Sequence, residues 1–151
     1  MIVVMGPPAT EPIGLQLART AKVVSRAFDD ALVRVGGSLP TWLVLVSLAA
    51  RRHGAQRELA EDVGVEGPTL THHLNRMEAA GLITRTRDPA NRRVHKVELT
   101  EAGEATFQRL VGAVTAFDQQ LRRGFAKKEL DTISGILDRL RANTATVNPA
   151  P

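Results

Sequence analysis

The chain contains no cysteine and no tyrosine in its 151 residues. Without a thiol, a disulfide, a thiolate metal site and a thiol redox switch within the chain are all excluded. Without a phenol, no aromatic-ligand site can rest on a tyrosine hydroxyl. Long hydrophobic runs are missing as well. The opening segment MIVVMGPPATEP is apolar only briefly and has no basic region ahead of it. It therefore fails as a secretory signal or membrane span, and the expectation is a cytoplasmic protein without membrane contact. Residues 1–11 and 143–151 combine Pro, small and polar residues and read as loose arms. No internal repeat is present.

Catalytic signatures are equally scarce. Ser25, Ser38, Ser47 and Ser134 lack a motif that would activate a hydroxyl, and Gly36-Gly37 is no phosphate-cradling loop. The acids Asp29-Asp30, Glu61-Asp62 and Glu101/Glu104 suit solvated helix faces and helix N-termini. Adjacent His72 and His73 would point roughly 100° apart on a helix, so they do not share one metal ion without further ligands. The reading is a protein that is not an enzyme, with no catalytic residue, cofactor or metal.

What is present is positive charge in one place. The formal charge is +4 with a sequence pI near 10.3, which favours an anionic partner. Arg76, Arg85, Arg87, Arg92, Arg93 and Lys96 crowd into one stretch that carries only Glu78, Asp88 and Glu98 against them. The chain length suits one domain.

Periodicity places the elements. Leu17, Ala21, Val24, Phe28, Ala31 and Val35 form an apolar stripe over a helix from Ile13 to about Val35, ended by Gly36-Gly37. Pro40 suits the first turn of the next helix, and Thr41 to Arg52 is apolar on most sides, so it should be central. His53-Gly54 reads as a stop, Gln56 to Val63 as a short helix with Leu59, Ala60 and Val63 inward, Gly64 as a tight turn and Val65 as a buried plug. A further helix starts around Gly67-Pro68, with Leu70, Leu74 and Met77 on its core face. Ile83 to Arg87 and Val94 to Leu99 are strands around the turn cluster Asp88-Pro89-Ala90-Asn91-Arg92-Arg93. Thr100 caps a long helix with Phe107, Leu110, Val111, Val114, Phe117, Leu121 and Phe125 on one side, and Leu130, Ile133, Ile136, Leu137 and Leu140 continue the pattern in a last helix.

A helix, a basic hairpin tip and a new helix start in unbroken succession describe a winged helix that grips DNA. Pro68, Thr69, Thr71, His72, His73 and Arg76 are the candidates on the helix. Arginine can donate twice to guanine, Thr or His can reach phosphates or base edges, and a helix N-terminus favours phosphate. Arg92 and Arg93 at the tip can reach phosphates or the minor groove. A merely solvated polar face is the plainer alternative for the helix residues, and an exposed turn for the tip.

The run DPANRRVHKVELTEAG, preceded by LTHHLNRMEAAGLITR and by the upstream segments PTWLVLVSLA and RELAEDVGVEGPTLT, resembles the multiple antibiotic resistance regulator (MarR) family along nearly the whole chain. The resemblance implies a mostly α fold with a small β-hairpin, a winged helix-turn-helix over about residues 40–100, and dimerisation helices at about 13–37 and 101–145. It implies a homodimeric transcriptional regulator of double-stranded DNA, in the expected case a repressor on a pseudo-palindromic operator, with a small-molecule effector of unknown identity. A winged-helix protein-interaction module is the other class considered. The resemblance points to Arg93 as the wing arginine, and places a ligand cleft between the dimerisation helices and the winged domain. Phe28, Trp42 and Val46 are candidates to line that cleft, with Arg19 or Arg26 to meet an anion, although such residues are more often simple core. Asn75 and Asn91 stand where many members carry aspartates that pair with arginines, which puts the wing anchor in question.

Overall fold

The structure, a computed structural model, describes residues 10–51, 53–91 and 95–147. The chain divides into two compact units, Met1–Thr115 and Ala116–Pro151. In order, the elements are α1 (Ile13–Val33), α2 (Leu39–Arg51), β1 (His53–Ala55), α3 (Gln56–Val63), α4 (Gly67–Ala79), β2 (Ile83–Arg87), β3 (His95–Leu99), α5 (Glu101–Arg122) and α6 (Lys127–Val147).

The core of the first unit is assembled from nearly every element in it. Leu32 of α1, Val44, Leu45 and Leu48 of α2, Leu59 of α3, Leu70 and Leu74 of α4, Ile83 and Val97 of the sheet and Leu110 of α5 are all buried. Each large apolar side chain so enclosed contributes roughly 1.5–3 kcal/mol, and α2 is covered around most of its circumference, as its composition requires. Two helices expected to serve dimerisation thus also supply Leu32 and Leu110 to the winged core, because a short three-helix unit cannot enclose itself.

The apolar stripe expected on α1 is used unevenly. Phe28, Ala31 and Val35 pack inward with Leu32, whereas Leu17 and Ala21 are exposed. Other expectations need correction. His53-Gly54 belongs to a strand: β1 pairs antiparallel with β3 through His53↔Glu98, Gly54↔Val97 and Ala55↔Lys96, so the sheet is three-stranded in the order β1-β3-β2 rather than a hairpin alone. Three residues carry no alternation, and only the partner strand makes them a strand. Phe125 lies beyond α5, which stops at Arg122 before Gly124. Residues 143–147 are not a loose arm. They continue α6, with the Thr144 hydroxyl donating to the Arg141 carbonyl at 2.7 Å.

The helix-turn-helix is closed by local backbone geometry. Gly64 adopts φ 72°, and the Gly64 and Val65 amides both donate to the Ala60 carbonyl, the left-handed ending that only glycine takes without strain. At the other end of α4 the Leu82 amide donates to the Met77 carbonyl at 3.0 Å, turning the chain directly into β2. Thr100 then ties three segments: its amide donates to Leu82 O at 3.1 Å, its hydroxyl donates to Gly81 O at 2.6 Å, and the same oxygen accepts from the Gly103 amide at 3.0 Å, capping α5.

Candidate nucleic-acid interface

Helix α4 begins without a side-chain cap, and Pro68 sits in its first turn, where the missing N–H leaves nothing unsatisfied. Leu70, Leu74 and Met77 anchor one face in the core. The opposite face carries Pro68, Thr69, His72 and Arg76, all exposed. The Arg76 side chain makes no ion pair or hydrogen bond among the described residues, so its guanidinium is available to an anion.

Two sequence candidates are placed differently. Thr71 is half-buried, with its hydroxyl donating to the Gly67 carbonyl at 3.0 Å and accepting from Gln56 Nε2 at 2.7 Å. It holds α3 and α4 together before it offers anything outward. His73 turns toward the α1–α2 connection, where it joins Ser38, Thr41 and Arg76 around a cavity of about 230 Å³. The His72 and His73 rings stand edge to face, 5.9 Å apart. Among the described residues, no group of three or more His, Asp or Glu is placed to hold a metal.

The wing strands pair from Ile83↔Leu99 out to Arg87↔His95. Asp88 Oδ1 accepts from the Ala90 amide at 2.7 Å and starts the turn. Arg92 and Arg93 lie outside the described residues. Arg87 is exposed and unpaired among the described residues, whereas Lys96 reaches Glu98 at 3.1 Å.

Between helix and wing lies a network that the sequence reading passed over. Arg85 Nε and Nη2 both donate to Glu78 Oε2, at 3.1 and 2.6 Å, and Nη2 also donates to Asn75 Oδ1 at 2.6 Å. The question raised by Asn75 is answered here: the asparagine keeps the hydrogen bond, and Glu78 supplies the charge. The Arg85 hydrogen bond holds the Glu78 carboxyl below its ordinary value of 4.5, against a smaller opposing effect of desolvation. The spacing of Asn75 and Glu78, three residues apart on one helix face, was a legible signal. That Arg85 would reach both depended on the turn between helix and strand.

The ligand-cleft candidates are dispersed in use. Trp42 stacks on Phe107, with centroids 5.7 Å apart and planes 12° from parallel, and Phe28 packs on the same core. Val46 is half-buried, Arg26 is exposed, and Arg19 is exposed and paired with Glu11 at 2.6 Å. A cleft of about 530 Å³ opens nearby between α2, β3 and α5, lined by Leu48, Ala49, Leu99, Glu104, Phe107 and Gln108. No described helix is long and apolar enough to cross a membrane.

With this geometry in view, known proteins are informative. Residues 38–95, from the cap of α2 to the start of β3, match the MarR family. Among solved structures, the chain is similar to the transcriptional repressor CouR bound to a 23-mer DNA duplex, with 28% identity over 87% of this chain and 93% of that one and a TM-score of 0.79. The same fold recurs in a cysteine-to-serine variant of MarR from E. coli complexed with operator DNA, at 22% identity, 86% and 94% coverage and a TM-score of 0.77. It recurs again in BpsR of Bordetella bronchiseptica, whose DNA binding is regulated by 6-hydroxynicotinic acid, at 22% identity, 90% and 98% coverage and a TM-score of 0.79. Residues 38–95 thus carry the match to the MarR family, and they sit in a winged-helix fold similar to that of a transcriptional repressor bound to duplex DNA.

Proposed function

We propose that the protein is a homodimeric repressor that binds a pseudo-palindromic operator and is released by a small-molecule effector. The observation that carries the reading is the exposed face of α4, where the Arg76 side chain is unpaired among the described residues, beside a wing of basic sequence, in a fold similar to a repressor bound to duplex DNA. In this reading Thr69, His72 and Arg76 meet base edges or flanking phosphates in the major groove, with Pro68 at the entering end. Thr71 and His73 serve mainly to set the helix in place, and Arg92 and Arg93 grip phosphate or the minor groove. Two recognition helices would then sit about one helical turn of DNA apart.

Dimerisation is supported by the apolar side chains left exposed at both chain ends: Ile13, Leu15 and Leu17 on α1, and Ile133, Ile136 and Leu137 on α6. Such side chains at regular spacing on long helices are expected to be covered by a partner. For the effector, Arg26, Phe28, Trp42 and Val46 are the proposed lining, with Arg19 less suited because Glu11 already neutralises it.

Selection of bound sequences from random duplexes at controlled salt tests the proposal. Recovery of a palindrome supports it, and absence of enrichment over random sequence overturns it. A reporter downstream of the recovered site then separates repression from activation. Within the selected site, Arg93→Ala should weaken binding to all sequences and make the salt slope shallower by about one unit. Thr69→Ala or His72→Ala should instead change which bases are preferred.

A further inference from the structure

The wing is a lever attached to α4 at its root, and the distance from that root to its basic tip makes the attachment angle important. Ile83, at the root of β2, is buried in the core. Arg85 lies two residues further out on the same face of the strand, about 7 Å along it at ~3.4 Å per residue. Arg87, two further on, is exposed. Arg85 therefore makes the outermost described attachment of β2 to α4. Its side chain is only 17% exposed and is held by three hydrogen bonds, two of them to one carboxylate oxygen of Glu78. The third goes to a neutral amide, Asn75, so the charge that fixes the guanidinium comes from Glu78 alone among its described hydrogen-bond partners.

We propose that Glu78 is a positioning residue for DNA binding: by pinning Arg85 to α4 it sets the angle of the wing, and so the register between major-groove reading and wing grip. The inference rests on the DNA-binding reading above and adds a residue whose sign of effect is diagnostic. By charge alone, a carboxylate beside a DNA-facing helix repels phosphate, and removing it while freeing an arginine should tighten binding. If Glu78 positions the wing, removing it should loosen binding despite the gain in net positive charge.

The test compares wild type, Glu78→Gln and the double variant Glu78→Gln/Asn75→Asp on two duplexes, the selected operator with its flanks and the same site trimmed of the flanks that the wings reach. Glu78→Gln should bind the flanked duplex roughly three- to tenfold more weakly and the trimmed duplex with nearly wild-type affinity. Asn75→Asp places a carboxylate where the amide oxygen already sits 2.6 Å from Arg85, so the double variant should recover to within about twofold of wild type. Unchanged or tighter binding by Glu78→Gln overturns the proposal, as does an equal loss on both duplexes or a loss that Asn75→Asp does not rescue. Thermal melting of each variant in the absence of DNA separates a wing effect from loss of fold. Failure of the wild-type chain to bind either duplex would bring down the DNA-binding reading and this proposal with it, whereas the outcomes above remove the proposal alone.

Discussion

Helices α4 and α6 both carry apolar residues at helical spacing and meet opposite environments. Leu70, Leu74 and Met77 on α4 are 0%, 0% and 4% exposed, while Ile133, Ile136 and Leu137 on α6 are 41%, 45% and 39% exposed. Periodicity makes both segments amphipathic helices, but it does not say what each apolar face will meet. In the winged unit the partners come from the same chain. In α6 the exposed stripe is what one protomer of the proposed dimer presents to the other, and the two regions should answer mutation differently.

The largest expected effect is in the winged core. Leu74→Ala should cost ~2–5 kcal/mol, since it empties a fully enclosed site in the core of the winged unit. Urea titration of the unfolding free energy measures it, and a cost below ~1 kcal/mol would remove the contrast between the two helices. A smaller loss, ~1–3 kcal/mol, is expected for Gly103→Ala, because the new Cβ would fall on the Leu82 carbonyl oxygen. Gly112→Ala on the same helix has nothing within 4 Å of the added carbon and should instead raise stability by ~0.5–1 kcal/mol.

On α6, Leu137→Ala should cost the isolated chain less than ~1 kcal/mol. Ile136→Asp should leave the melting of the winged unit in place while shifting sedimentation from dimer toward monomer. Retention of the dimer by Ile136→Asp would show that this stripe is not the contact. The smallest effect concerns pH. Because the folded-state pKa of Glu78 is lowered, its contribution to stability is fully present above the ordinary value of 4.5 and disappears as pH falls through the folded value. Melting temperatures of wild type and Glu78→Gln should therefore differ by a constant amount from neutrality to about pH 5 and converge in more acid solution.

Much of this fold could be read from residue order. The core face of α4, the turn at Gly64, the cap at Thr100 and the pairing of β2 with β3 all rest on signals confined to a few consecutive residues. What escaped reading is non-local. His53–Ala55 becomes a strand only because β3 lies beside it, and Thr71 looks outward until Gln56, fifteen residues earlier, is brought to its hydroxyl. The same holds for the site. The exposed positions Thr69, His72 and Arg76 followed from the helix period, whereas the Glu78–Arg85–Asn75 network needed the turn at Gly81 to bring strand to helix. Helix α6 runs through Val147 against a loop-like composition.

Thr100 shows how little freedom such a design leaves. Three joints meet at this residue: the exit from α4, the start of the wing and the first turn of α5. Each would otherwise be a swivel with its own pair of backbone torsions. One hydroxyl and one amide lock all three, and Gly103 admits the Leu82 carbonyl so closely that the lock has no play. Rotation of the first turn of α5 about its axis is thereby geared to the end of α4 and the root of β2. Any motion of one that spares the others must first break a hydrogen bond to Thr100.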